Sequence, residues 1–185
     1  MNVKEKFAND FSAMLKDEKY ALARQQKCFH ETGHIVLHLM LGDQFIEAGV
    51  SPDLTIAFSH CESDRWESVG AKARLDEAKV GMAGMASEMY FMNPGKVTAL
   101  VNVLRNHECT QELRNTKKGD DLWKCRGFTE DELADVIEKT FTEKYFEDNR
   151  ALFIEITRVL FFQTILSKEK LDEILAEHPL VRQVY

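Results

Sequence analysis

Residues 17–43 read DEKYALARQQKCFHETGHIVLHLMLGD, and the fold turns on this stretch. It predicts one long helix over about residues 17–41, stopped by Gly42-Asp43. Inside it, His30-Glu31-Thr32-Gly33-His34 is flanked by apolar Cys28-Phe29 and Ile35-Val36-Leu37, the surroundings of a buried helix. Gly33 costs about 1 kcal/mol relative to Ala in a helix, so its presence points to close packing or to room for a ligand.

On either side the pattern is helix after helix. Val3 to Leu15 has an amphipathic helical pattern. Beyond residue 43, Glu47-Ala48-Gly49-Val50 leads through Ser51-Pro52-Asp53 into Leu54–Phe58, which alternates like a strand. Asp64 to Ser68 is polar and predicts a loop. Lys72 to Met92 predicts a second long helix, closed by Asn93-Pro94-Gly95. Val97 to Arg114 predicts a further helix and residues 115–120 a polar loop. Thr129-Glu130-Asp131-Glu132 fits a capping box for a helix running to about Lys144. Another helix follows over about Phe146–Leu166. Ser167 caps a last one, Lys168–Glu177, before His178-Pro179 stops it. With 185 residues, only 9 Gly and 3 Pro, and no repeat or shift of composition, the expectation is one mainly α domain over residues 1–185. A small strand element follows the first long helix, and a helical hairpin over about residues 146–177 ends the chain.

Composition narrows the function classes. A formal net charge of -7, with no basic run, argues against nucleic-acid binding. The longest apolar stretch, Ala151–Leu166, is interrupted by Glu155, Arg158 and Gln163, too short and too charged to span a bilayer. Cys28, Cys61, Cys109 and Cys125 form no C-x-x-C pair, and Met1–Lys6 carries no apolar signal-peptide core. Reduced thiols in a cytoplasmic protein are therefore expected.

The chemistry sits in His30-Glu31-Thr32-Gly33-His34, an H-E-x-x-H pattern. Residues four apart share a helix face, with Cβ atoms roughly 5–6 Å apart, so two imidazoles there can converge on one ion. The intervening Glu reaches toward the ion's open position, where a water of lowered pKa needs a base. With 6 His in 185 residues, chance placement gives about 0.02 such matches in a chain of this length, so coincidence is a poor account. The pattern predicts Zn²⁺ held by His30 and His34, with Glu31 as catalytic base. Catalytic zinc takes three protein ligands. Glu88, Glu108, Asp120 and Asp121 are all candidates for the third, and periodicity does not choose among them.

Several segments in order resemble the peptidase domain of the FtsH-type ATP-dependent zinc metalloproteases. That family carries a His-Glu-Ala-Gly-His helix, matched here by residues 30–34 including the Gly before the second His. Its Gly-Gly-Arg-Ala-Ala-Glu-Glu helix is matched in place by Ala83-Gly84-Met85-Ala86-Ser87-Glu88-Met89. Its Gly-x-x-x-Asp-Leu stretch, which supplies an aspartate ligand, is matched by the run ending Gly119-Asp120-Asp121-Leu122. The segment from Asn149-Arg150-Ala151-Leu152 to Leu166-Ser167-Lys168-Glu169-Lys170-Leu171 is similar to the family's closing hairpin. The resemblance spans about residues 20–177. It implies Asp121 as the third ligand, with Asp120 the nearest rival, and a structural or outer position for Glu88. The chain departs from the family at Ala83, Met85 and Met89, and in a longer, more basic loop before Asp121.

FtsH-type proteases also carry membrane helices and an ATPase module. This chain shows no membrane span and no G-x-x-x-x-G-K-[ST] phosphate loop. The function expected is hydrolysis of peptides or already unfolded proteins, independent of ATP, with a separate unfoldase as a conceivable partner. A catalytically silent metal-binding regulatory or adaptor module of the same fold is the alternative. Other features read as structural: His38 as an ordinary helix histidine, Met82, Met85, Met89 and Met92 as core, and Cys28 as a buried small hydrophobe. The pairs His60-Cys61 and His107-x-Cys109 read as unrelated polar and thiol groups. Trp123 either walls the site or fills the core.

Overall fold

The computed structural model describes residues 11–63, 70–92, 97–105 and 121–182. In chain order the elements are α1 (Glu18–Leu41), β1 (Gln44–Val50), β2 (Ala57–Glu62), α2 (Ala71–Met92), α3 (Val97–Arg105), α4 (Asp121–Lys124), α5 (Glu130–Thr140), α6 (Glu143–Asp148), α7 (Arg150–Gln163), β3 (Ile165–Ser167) and α8 (Lys168–Glu177). The fold is mainly helical with a small antiparallel sheet, the class the sequence predicts. Among the described residues no helix is long and apolar enough to cross a membrane.

Helix α1 begins where the Asp17 carboxylate accepts the Tyr20 backbone N–H at 3.1 Å. It ends at Gly42, whose left-handed φ of 84° turns its own N–H back onto the carbonyls of His38 and Leu39. This stop satisfies carbonyls that a helix end otherwise leaves open. From Cys28 to His38 every residue but His30 is buried. A helix covered on all sides belongs at the centre of the fold, and α1 packs on α2, α7 and the sheet.

Gly33 is the point of closest approach to α2. A Cβ there would lie 2.4 Å from the Ala83 carbonyl oxygen and 2.7 Å from Ser87 Cβ. Of the two readings of this glycine, the packing between α1 and α2 supports the first. Gly33→Ala is expected to cost about 1–3 kcal/mol, because the neighbour that must yield is backbone. The readout is a lower urea midpoint at constant m-value; an unchanged midpoint would mean the two helices separate freely.

The sheet has strand order β2-β1-β3. Strand β1 pairs antiparallel with β2 from Gln44↔Glu62 to Val50↔Ala57, with an irregularity between Phe45 and Glu47. It pairs antiparallel with β3 from Glu47↔Ser167 to Gly49↔Ile165. The expected strand over Leu54–Phe58 is displaced along the chain. Residues 51–56 form a turn instead, because the Asp53 carboxylate takes the Ser51 hydroxyl, the Thr55 hydroxyl and the Thr55 N–H. Leu54 sits in the left-handed region at φ 61°. The strand starts at Ala57.

Two further boundaries differ for similar reasons. The helix opened by the Thr129 capping box stops at Thr140, since Thr142 accepts the Tyr145 N–H and caps a separate α6. The helix expected over Phe146–Leu166 is broken at Asn149. Its buried amide donates to the Tyr145 and Val181 carbonyls and accepts the Val181 N–H, a side chain competing for the backbone's partners. Helix α7 ends at Thr164, in the left-handed region at φ 66°, and the next residues join the sheet as β3. Ser167 caps α8 as expected, accepting the Lys170 N–H. Of the expected N-terminal helix, residues 11–14 are helical, and residues 1–10 lie outside the described residues. Residues 64–69, 93–96 and 106–120 lie outside the described residues, and with them the Asp64–Ser68 loop, the Asn93-Pro94-Gly95 breaker and the end of the helix expected over Val97–Arg114.

The core joins the apolar face of α1 to α2, α5 and α7. An aromatic group of Phe91, Tyr145, Phe146 and Phe153 ties α2 to α6 and α7, with ring centroids from 4.9 to 5.9 Å. Arg24 is fully buried, a feature the sequence reading passed over. Its guanidinium donates to the carbonyls of Phe161 (2.8 Å), Ser51 (2.9 Å), Val50 (3.1 Å) and Leu160 (2.8 Å). It thereby joins α1 to the end of β1 and to the C-terminal turn of α7.

Candidate metal centre

Three elements bring one site together. Helix α1 supplies His30, Glu31 and His34, the short α4 supplies Asp121 and Lys124, and β2 supplies Ala57, Phe58 and Ser59. With Met85 and Leu122 they line a cleft of about 560 Å³. Inside it, one carboxylate oxygen meets both imidazoles. Asp121 Oδ2 lies 2.9 Å from His30 Nε2 and 3.0 Å from His34 Nε2. The two rings are 4.9 Å apart at their centroids. Among the described residues, His30, His34 and Asp121 are the group of His, Cys, Asp and Glu side chains whose ligand atoms converge in this way, all within 4.8 Å.

The far nitrogens of both rings are already engaged. His34 Nδ1 lies 2.9 Å from the Val80 carbonyl, and His30 Nδ1 lies 3.3 Å from Glu88 Oε2. The other Glu88 oxygen accepts from the Gln26 side-chain amide. Such outer partners fix ring orientation and tautomer wherever histidines ligate metals. They also place Glu88 behind His30, away from the point where Asp121 meets the rings. Of the four third-ligand candidates, Asp121 is the one delivered there, while Glu108 and Asp120 lie outside the described residues. Helix α2 makes room for the His30 ring at Gly84, where a Cβ would stand 2.5 Å from Nε2.

This arrangement leaves an electrostatic conflict that a bound cation would relieve. A carbonyl oxygen only accepts, so His34 must place its one neutral-state hydrogen on Nδ1 to satisfy Val80. Its Nε2 then presents a lone pair to a carboxylate oxygen at 3.0 Å. The other tautomer only moves the clash to Val80. Full protonation would settle both contacts, but burial opposes it and lowers the His34 pKa to about 4. For His30 burial also works against charge, but the hydrogen bonds to Asp121 and Glu88 outweigh it and push the pKa up to about 9. Asp121 is pushed up by burial, yet hydrogen bonds from both histidines outweigh that and hold it well below the usual carboxylate range. Two nitrogens and a carboxylate oxygen thus share at most one proton near neutral pH. The donor set suits Zn²⁺, which binds imidazole nitrogen and carboxylate oxygen.

Glu31 lies beside this cluster and is only 7% exposed. Burial raises its pKa, against the pull of the positive charge on His30 and a hydrogen bond from Ser59. Other sequence readings resolve around the site. Met82 is fully buried, and Met85 packs against the core while also lining the cleft. Trp123 does not line the cleft; the Arg126 guanidinium stacks 3.4 Å from its ring centre, and Leu122 forms the wall instead. His38 is a buried helix histidine bonded through Nδ1 to Asp43 at 2.6 Å. Cys28 is fully buried, with its thiol pushed up to about 12 by burial, as befits an inert core group. His107 and Cys109 lie outside the described residues.

Lys124, Ser59 and the Val80 carbonyl escaped the sequence reading. Lys124 had a usable signal, since it stands one helical turn after Asp121; the other two had none. No protein-family model matches this sequence, and no curated protein matches it.

Proposed function

We propose that this protein is a zinc metalloendopeptidase of the FtsH-peptidase-like type, acting on peptides and unfolded segments without ATP. The observation that carries the reading is the convergence of His30, His34 and Asp121 on one point, next to a buried Glu, with the hydrogen of neutral His34 taken up by the Val80 carbonyl so that its Nε2 faces Asp121 without one. The resemblance of residues 30–34, 83–89 and 119–122 to that family points the same way.

His30, His34 and Asp121 would hold Zn²⁺, which would supply Lewis acidity toward a scissile carbonyl and lower the pKa of a water to about 7. Glu31 takes the proton from the attacking water and returns it to the departing amine. Burial favours that exchange, because a lifted carboxylate pKa lies nearer the working pH of a base. Ser59 holds the Glu31 carboxylate from the β2 side. Strand β2 lies at the edge of the sheet and lends Ala57, Phe58 and Ser59 to the cleft wall. An extended substrate adds to that edge by main-chain hydrogen bonds, with Phe58, Met85 and Leu122 as apolar wall for its side chains. On this reading the substrates are flexible segments or proteins opened by a partner. A reducing cytoplasm suits the free thiols of Cys28, Cys61 and Cys125.

The test is zinc per chain by elemental analysis, with the pH dependence of its uptake. About one zinc per wild-type chain is expected, lost in both His34→Ala and Asp121→Ala. Below pH about 9 the metal-free site holds a proton on His30, which zinc must displace. Uptake at pH 7 therefore releases about one proton, and affinity rises up to about tenfold per pH unit toward pH 9. The metal-free protein behaves oppositely. His30 has a raised folded pKa, so its contribution to stability is complete below about pH 6.5 and lost as pH rises through about 9. Zinc retained in His34→Ala, or uptake without proton release, removes the site as drawn. No zinc even after reconstitution leaves a helical adaptor as the account.

A further inference from the structure

The Asp121 carboxylate is divided between two sets of partners. Oδ2 faces His30 and His34. Oδ1 accepts from Lys124 Nζ at 2.9 Å, one helical turn further along α4. The Lys124 side chain is 21% exposed and lines the same cleft as Glu31, so the ammonium stands inside the site. A carboxylate free at both oxygens can clasp an ion bidentately and occupy two of its positions. One whose second oxygen is held by an ammonium group offers a single ligand atom. Catalytic zinc needs a position left open for water and substrate, and a two-oxygen aspartate would crowd it.

We propose that Lys124 is a positioning residue that confines Asp121 to one-oxygen ligation and so keeps the reactive position of the metal open. The inference rests on the metal reading of the cleft and adds a residue to it. Lys124 acts through Asp121 and carries no proton in the reaction. Its ammonium is a point donor on a flexible stem, and an Arg guanidinium can reach the same oxygen with parallel donors.

The experiment uses the whole chain loaded with Co²⁺, whose visible absorption is intense in four-coordinate sites and weak in five-coordinate ones. Wild type, Lys124→Met and Lys124→Arg are compared for bound cobalt, visible spectrum, and kcat and KM on an unfolded-protein substrate. Circular dichroism checks that each variant is folded. The expected result is about one cobalt in all three, and a weakened visible band in Lys124→Met alone. In that variant kcat falls about 10–100-fold, in the range of outer-partner mutations, at little changed KM, and Arg restores both properties. A Lys124→Met spectrum equal to wild type overturns the proposal, as does loss of cobalt from that variant. Absence of cobalt from wild type itself is a different failure: it removes the metal reading, and this inference with it. If cobalt binds but no substrate is turned over, the spectrum alone decides.

Discussion

On the proposed peptidase reading, replacing Glu31 by Gln is expected to lower peptide hydrolysis by about 10²–10⁴-fold while zinc stays at about one per chain. The size follows from what the substitution removes. Gln matches Glu in shape and keeps an oxygen to accept from Ser59, so the α1 backbone and the cleft wall are undisturbed. It cannot take a proton from water, nor return one to an amine. His30, His34 and Asp121 meet one another without help from Glu31, their shortest contacts being 2.9 and 3.0 Å, so the ligand set survives. The measurement pairs zinc analysis with single-turnover hydrolysis of a quenched unfolded substrate. Zinc kept with activity lost supports the base. Equal activity in wild type and Glu31→Gln would leave a metal-holding regulatory module, in which Glu31 has no chemical duty.

The second large effect concerns stability. Arg24→Met is expected to cost about 4 kcal/mol, the scale of several buried acceptors losing a charged donor. Arg24 serves three segments at once. It fills the carbonyls of Leu160 and Phe161 in the last turn of α7, groups that helix geometry leaves without internal partners. It also takes the carbonyls of Val50 and Ser51, where β1 gives way to the turn. Its positive charge meets the negative end of the α7 dipole, which favours cations there, and it stacks over Phe11 at 4.8 Å and Phe161 at 5.9 Å. Met keeps the apolar stem and loses every donor. Arg24→Lys keeps the charge with fewer, poorly placed donors and should fall between. Guanidinium unfolding at constant pH reads the difference. A loss under about 1 kcal/mol in Arg24→Met would show that water reaches those carbonyls, and that the buried arrangement adds little.

The same helix thus carries both experiments, and the reasons differ in range. Everything that made α1 legible is local. Gly42 stops it through bonds to residues three and four back, and His30 and His34 share a face because a helix repeats every 3.6 residues. The Thr129–Glu132 capping box and the Ser167 cap are local in the same sense, and both are found as read. The mainly helical class with a small strand element follows from such signals added along the chain.

Where local signals misled, a side chain had chosen a partner that spacing does not reveal. Asp53 gathered a turn out of an apparent strand. Asn149 bound Val181, 32 residues away, and split an apparent helix. Strand β3 exists because Ile165–Ser167 pairs with Glu47–Gly49, across more than a hundred residues of chain. The candidate site divides along the same line. The sequence by itself determined that His30, Glu31 and His34 stand together, because five consecutive positions on one helix suffice for them. Only the tertiary structure decided that Asp121 meets both Nε2 atoms while Glu88 stands at His30 Nδ1, that Val80 fixes the His34 tautomer, that Gly84 clears space for His30, and that Lys124 holds the second oxygen. Those choices depend on how α2 and α4 pack against α1, and packing is settled by shape and burial between segments that no local period connects.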